Sequence, residues 1–508
     1  MSHRPSNITP PTADRLLEIA EDQGFELTDQ EVEVFRTAID ETLERYQTID
    51  QLQPDDEQPN REIQYAGRRS TPDEDPLNAF ITKCSVSTTE TGPLAGYTVG
   101  VKDNVAVAGV ELTCGSRAFE GYVPKQDATI VTRLLDAGAT ITGKTNMEAL
   151  SAGGGGELGL DGDVLNPVDP DHLAGGSSSG SGAAVAAGEI DIGIGADQGG
   201  SIRRPAAWCG VVGHKPTFGL VPYTGIVGLG HTFDYVGPIT RTVEDCALAL
   251  DVIAGKDPLD PRQDEVPVQE YAASLEDTPE DLTIGVLTDG FDLETSDGAV
   301  DDCVRSAIDA LGSRGAEIRE LSLPSHADAV AIWTAIFLEE AAALVNSDGV
   351  GRFTQGFYDT QFARTFGRIR RTQGDEFPPT FKLLVLTGQY LTEEFNSRYY
   401  AKAQNLRRDL RAAYDDALDE VDLLALPTIQ KTAHERQASL GLEDVLDRGL
   451  GLHENRVPFN VTGHPAVTVP CGTVEGLPVG LQFVGTHFDD ATVLTGAYTA
   501  EQTVEIEM

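Results

Sequence analysis

A Gly- and Ser-rich run, Gly175-Gly176-Ser177-Ser178-Ser179-Gly180-Ser181-Gly182, leads directly into small residues, Ala183 to Gly188, and then the strand-like Ile190–Ile194. A linker of the same composition would not be followed at once by a small-residue helix and a strand, so the run is expected to pack inside the body. After that strand comes Ala196-Asp197-Gln198-Gly199-Gly200-Ser201-Ile202-Arg203, a turn opening into a helix. Consecutive backbone N–H groups at such a turn face one concavity and can hold a negative oxygen. A hydroxyl at its end, that of Ser201, would be a nucleophile beside an oxyanion hole.

A serine hydroxyl needs a base, and the usual one is histidine. The candidates His453, His464 and His487 all lie in the C-terminal part, where any of them could equally be structural. The alternative is lysine, which gives up its proton near neutral pH only when desolvated or crowded by other positive groups. Lys102 ends the apolar run Tyr97–Val101 and precedes Asp103-Asn104, which permits a buried place at a strand end. A lone lysine there is more commonly an ordinary surface charge.

Two rival patterns are weaker. Gly176-Ser177-Ser178-Ser179-Gly180 matches the G-x-S-x-G nucleophile elbow of α/β-hydrolases, with Ser178 as nucleophile. That motif needs a strand directly before the serine, and Val168 to Leu173 is rich in Pro and Asp instead. Gly193-Ile194-Gly195 follows a strand, but the next glycine, Gly199, comes one position late for a dinucleotide fingerprint, and no Walker lysine follows a Gly-rich loop.

The elements that must position these residues read as an α/β body. Tyr97–Val101, Ala128–Ala137, Ala139–Thr142 and Ile190–Ile194 alternate strands with a helix, as do Leu282–Leu287, Ala299–Leu311 and Glu317–Leu321. A long charged helix is predicted from Glu393 to Ala417, then strands at Leu423–Leu426, Ala466–Val469 and Gly480–Val484. Such alternation favours a sheet buried on both faces. Ahead of it, helical patterns run from Ala13 to Asp22 and from Asp29 to Tyr46, with Thr28 or Asp29 as cap. A polar, Pro-rich stretch then marks a boundary near residue 75, giving a small helical extension (1–75) and a main domain (76–508).

The chain has 508 residues, 40% of them hydrophobic, enough for a large core. Asp and Glu number 82 against 37 Lys and Arg, a formal charge of −45 spread over the whole length. That field repels nucleic acid and anionic lipid and points to adaptation to high salt. Met1 to Leu17 has no apolar signal core or twin arginine, and no apolar stretch is long enough to span a membrane, so a cytoplasmic protein is expected. Cys84, Cys114, Cys209, Cys246, Cys303 and Cys471 lie far apart, without a C-x-x-C pair or a His at metal-ligand spacing. Buried free thiols, no metal and no cofactor are the expectation.

Together, Gly100-Val101-Lys102-Asp103-Asn104, Gly175-Gly176-Ser177-Ser178, Asp197-Gln198-Gly199-Gly200-Ser201-Ile202-Arg203 with Pro205-Ala206-Ala207, and Gly213-His214-Lys215-Pro216-Thr217 resemble the amidase signature family. The likeness continues through Gly237-Pro238-Ile239-Thr240, Asn460-Val461-Thr462-Gly463-His464-Pro465-Ala466 and Gly476-Leu477-Pro478-Val479-Gly480, covering roughly residues 77 to 495. The resemblance implies a large mixed, twisted sheet between helices, and hydrolysis of carboxylic amides through an acyl-enzyme without a catalytic histidine. It implies that Ser201 is the nucleophile and Ser177, held by a cis peptide bond, the proton bridge to the base Lys102. It further implies an oxyanion hole from the backbone N–H groups of Gln198, Gly199, Gly200 and Ser201. Ser178 would help orient Lys102, and Arg203 with Asp197 would brace the loop.

Two departures stand out: Ser179 where many members have Gly, and Gln198 where Thr or Ile is commoner. The pattern is similar to bacterial aliphatic and aryl amidases with a helical N-terminal extension that helps form a dimer, so a homodimer is expected. The nearest alternative in the family is the glutamine-hydrolysing subunit of a tRNA-dependent amidotransferase. Its charged pair for the glutamine α-carboxylate and α-amine would fall at Leu383-Leu384 and His453, which cannot supply it. Pocket walls are expected within Phe337 to Tyr390 and Leu440 to Phe459; the acyl group is left open.

Overall fold

The computed structural model describes residues 8–52, 61–63, 67–352 and 354–504. Two compact units separate, one within Met1–Gln58 and one within Pro59–Met508. The division precedes the composition change near residue 75 because Arg68 and Arg69 already pair with Lys83 and Thr82 as an edge strand of the larger unit.

In the first unit, helices Ala13–Asp22 and Asp29–Ile49 form where the periodicity places them. Thr28 and Glu31 close a capping box at the start of the second, satisfying N–H groups that a helix N-terminus leaves without partners. Phe25, Val34, Ile49 and Leu52 of this unit stand exposed.

The second unit is built on one mixed sheet of twelve strands. In chain order they are β1 Arg68–Arg69, β2 Phe80–Val86, β3 Thr98–Lys102, β4 Thr140–Thr145, β5 Ile192–Asp197 and β6 Val212–Lys215. Then follow β7 Tyr235–Thr240, β8 Thr283–Leu287, β9 Glu317–Leu321, β10 Leu423–Pro427, β11 Ala466–Val474 and β12 Leu477–Val484. Across the sheet the order is β1-β2-β4-β3-β5-β7-β6-β11-β12-β10-β8-β9. β3 lies parallel between β4 and β5, and β10, β8 and β9 are parallel at the far end. The steps from β5 to β10 are antiparallel. Every residue of β5, β7, β10 and β12 is buried, as strands covered on both faces must be. Among the described residues no helix is long and apolar enough to cross a membrane, and all six cysteines are free.

One predicted element divides. The helix expected from Glu393 to Ala417 is two helices, Pro379–Phe395 and Arg398–Leu418. Asn396 and Ser397 between them have φ of 52° and 54°, and Asn is among the few side chains that tolerate this left-handed region at a helix end.

Candidate active site

Lys102 closes β3 and is fully buried. Its Nζ donates to Ser177 Oγ at 2.7 Å and lies 3.4 Å from the carbonyl of Ala196, near the end of β5. The adjacent carboxylate is not its partner: Asp103 pairs with Lys144 of β4 at 2.9 Å, both side chains wholly buried. Burial therefore pushes the Lys102 ammonium down to about 7, opposed in part by the charges of Asp197, Glu148 and Asp234.

The Ser177 loop is pressed against this strand end by small residues. Helix Ser179–Ala186 begins directly after it, and a Cβ on Gly180 would lie 2.1 Å from Ala79 O and 2.4 Å from Asn146 N. No side chain fits there, and the run is interior, as its context in the sequence requires. The Gly176–Ser177 peptide bond is cis. Ser178 Oγ donates to Ala196 O at 3.1 Å and accepts from Ala196 N–H at 3.2 Å, while its own N–H donates to Ser201 O at 3.2 Å. Ser178 thus staples the two loops together and meets Lys102 only through their shared acceptor, Ala196 O. Its buried, doubly occupied hydroxyl is no nucleophile elbow.

The loop after β5 is organised by one carboxylate. Asp197 accepts from Gly200 N–H at 2.6 Å and Ile202 N–H at 3.1 Å, and Arg203 reaches both its oxygens at 3.1 Å. Arg203 also donates to Gln482 at 2.9 Å and to Asn460 at 2.7 Å, and Asn460 donates back to Asp197 at 2.8 Å. Gly200 N–H is consequently committed to Asp197, so the four expected oxyanion donors reduce to Gln198, Gly199 and Ser201. Their N–H groups have no acceptor among the described residues. The Gln198 side chain turns away from the loop, donating to Asp234 at 3.0 Å and Tyr223 at 3.2 Å. That accounts for an amide in place of Thr or Ile.

Ser201, 9% exposed, opens into a cavity shared with Gly176, Gln198 and Gly199. No hydrogen bond joins its Oγ to Ser177 Oγ among the described residues. The far wall comes from Phe337, Leu384, Leu450 and His453, inside the two segments the sequence marks for the pocket. Two further wall residues, Trp333 and Arg204, lie outside those segments, and Arg456 lies inside the second without having been singled out. Trp333 anchors the loop by donating to Gln198 O at 2.8 Å. Arg204 and Arg456 are buried, and Arg204 Nε and Nη1 and Arg456 Nε have no acceptor among the described residues. No motif marks them, since the chain brings them together over roughly half its length. Of the candidate histidines only His453 borders this cavity; burial, with Arg456 and Arg204 nearby, holds its imidazolium far below the usual range. His464 and His487 pack against Asp415 instead.

A buried lysine hydrogen-bonded to a serine, with a second serine beside free N–H groups, can activate a hydroxyl and stabilise an oxyanion without a metal ligand in the set. The family described as Amidase matches residues 78–494. The chain belongs to the amidase signature family. An enantioselective amidase of Rhodococcus rhodochrous is 43% identical over 498 residues, 96% of this chain and 95% of its own. A glutamyl-tRNA(Gln) amidotransferase subunit of Haloarcula marismortui is 42% identical over 422 residues, 82% of this chain and 97% of its own. The solved native peptide amidase from Stenotrophomonas maltophilia superposes with a TM-score of 0.69 at 30% identity, covering 82% of this chain and 84% of that one. As an amidase signature member the protein is a hydrolase acting on amide C–N bonds.

Proposed function

We propose that Ser201 attacks the amide carbonyl as its proton passes through Ser177 Oγ to neutral Lys102 Nζ. The same route returns the proton to the leaving nitrogen as the C–N bond breaks, and water then releases the carboxylate from the acyl-enzyme. The observation that carries this reading is the 2.7 Å contact between Ser177 Oγ and a lysine held near neutrality by burial. The oxyanion rests on the N–H groups of Gln198, Gly199 and Ser201, and the Ser201–Ser177 link tightens on substrate binding, as catalytic hydrogen bonds commonly do. A fluorophosphonate should label Ser201, read by peptide mass spectrometry, and Ser201→Ala should lose both label and amidase activity. Label on Ser178, or an active Ser201→Ala, refutes the assignment.

The unpartnered guanidinium donors of Arg204 and Arg456 favour an acyl group that carries acceptor atoms over a plain alkyl chain. A second reading, the glutamine-hydrolysing subunit of a larger complex, draws on the similarity to the Haloarcula amidotransferase protein. Against it, Leu384 and His453 line the cavity where the charged pair of a glutamine-hydrolysing subunit is expected. The match to the Rhodococcus amidase also spans 96% of the chain, so it includes most of the extension before residue 78, where the family match begins. Glutamine turnover by the isolated protein, compared with aliphatic and aryl amides, separates the two.

The protein is further read as a salt-adapted homodimer. Its charge of −45 supports the first part, and the exposed Phe25, Val34, Ile49 and Leu52 support the second. Light scattering showing a monomer at micromolar concentration would refute the dimer.

A further inference from the structure

Three side chains outside the Ser201 cavity converge on one point. Asp415 projects from helix Arg398–Leu418, His464 follows helix Val457–Thr462, and His487 lies just after β12. Nε2 of His464 is 2.9 Å and Nδ1 of His487 is 3.5 Å from the same oxygen, Asp415 Oδ1. One ligand atom from each of the three residues lies within 4.8 Å of the other two.

The tautomers are set from outside this cluster. His487 Nε2 is 3.0 Å from the carbonyl oxygen of Thr462, which can only accept, so Nε2 carries the proton and Nδ1 turns a lone pair toward Asp415. His464 Nδ1 is 2.9 Å from Thr462 Oγ1, and that hydroxyl donates to Pro458 O at 2.9 Å. It therefore accepts from His464 Nδ1–H, so in the neutral ring the lone pair sits on Nε2, toward Asp415. With both rings neutral, two imidazole lone pairs and a carboxylate oxygen face one another. Neighbouring cations do not fill the gap: Arg411 sits 3.7 Å from the other oxygen, Oδ2, and Lys215 Nζ donates to the His464 carbonyl at 2.6 Å.

We propose that His464 Nε2, His487 Nδ1 and Asp415 Oδ1 bind a divalent metal ion of the zinc class, with water completing its shell on the exposed Asp415 side. Two imidazoles and a carboxylate are a donor set that Zn2+ favours. The separations of 2.9 and 3.5 Å bracket the roughly 3.3 Å between ligands of a tetrahedral ion with bonds of about 2.0–2.1 Å. Each ring's second nitrogen is held by a group of Thr462, the outer hydrogen bond that ligating histidines make. Sequence spacing hides the site because Asp415 and His464 are 49 positions apart. The ion ties the long helix to helix Val457–Thr462, whose Asn460 holds Asp197.

The full-length protein, stripped with chelator and then dialysed against Zn2+, is compared by metal analysis with Asp415→Asn and His487→Gln, each checked for folding by circular dichroism. Wild type should retain about one Zn2+ per chain and each variant less than about a tenth of that, with a Zn2+-dependent rise in Tm in wild type only. Wild type that retains no Zn2+, as a plain His464–Asp415 hydrogen bond requires, overturns the proposal. So do folded variants that retain as much Zn2+ as wild type.

Discussion

Asp197 Oδ1 accepts the backbone N–H of Gly200 at 2.6 Å, so the donor in the middle of the loop holds the loop's own shape. Gly200 has φ of +109°, and a Cβ there would lie 2.5 Å from Arg456 Cδ. Gly200→Ala should therefore shift the neighbouring N–H groups off the oxyanion. We expect kcat to fall by about 10²–10³, the scale of losing one oxyanion donor, with KM changed far less. Wild-type kcat in a folded Gly200→Ala protein would show that this loop does not hold the oxyanion.

In the proposed mechanism Lys102 must be neutral when Ser201 attacks, and burial brings its ammonium down to about 7. The neutral fraction grows as pH rises through that value, so kcat/KM should climb on an alkaline limb centred near it and flatten above. Lys102→Ala should lose several orders of magnitude on amides and less on activated esters, whose leaving groups need no proton. Lys102→Arg should not rescue, since guanidinium keeps its proton. A pH–rate profile unchanged by either substitution would remove the lysine from the mechanism.

Arg203→Met tests the brace. It leaves the Asp197 carboxylate buried beside Asn460 without its main counter-charge, which costs about 3–5 kcal/mol in comparable buried pairs. Arg203 holds the Asp197 carboxyl below its usual range against the cost of burial. A lowered native value contributes stability that is fully present above the unfolded value and lost as pH falls through the native one. The wild-type advantage over Arg203→Met in urea melts should accordingly be full at neutral pH and shrink in acid. A constant difference down to pH about 2 would contradict this pairing.

The proposed site residues could be picked out because their motifs are local, Lys102 at a strand end and Ser177 and Ser201 in glycine-rich loops, and the structure places Lys102 Nζ 2.7 Å from Ser177 Oγ and Ser201 at a cavity. The order of the sheet was not, since the step from β6 to β11 joins residues some 250 positions apart. Nor could residue types reveal that Gly200 spends its N–H on Asp197, or that Arg204 and Arg456 meet at the cavity, because backbone geometry and long-range closure decide both. The break at Asn396 and Ser397 was hidden by a charged pattern that runs on through it.

The charge of −45 makes salt a stability variable. Lowering salt from about 1 M to about 0.1 M lengthens the screening distance from about 3 to 10 Å and strengthens repulsion among surface carboxylates. Tm and activity should fall together on dilution of salt, and equal stability in dilute buffer would end the salt-adapted reading.

Arg456 offers the most direct probe of the acyl group. Its guanidinium is buried beside Ser201, packs against Gly200, and keeps Nε without an acceptor among the described residues. A substrate carboxylate or carbonyl reaching this wall would make a charge-assisted hydrogen bond in a poorly solvated place, the stronger kind. Arg456→Met keeps much of the packing volume while removing the donor. For amides bearing a carboxylate on the acyl side, KM should rise about tenfold or more, the loss of some 1.4 kcal/mol. Neutral aliphatic amides of the same length should change by less than about threefold, since they lose only a partner they could not use. If both classes weaken equally, Arg456 supports the oxyanion loop alone and the wall is not an acceptor-binding site.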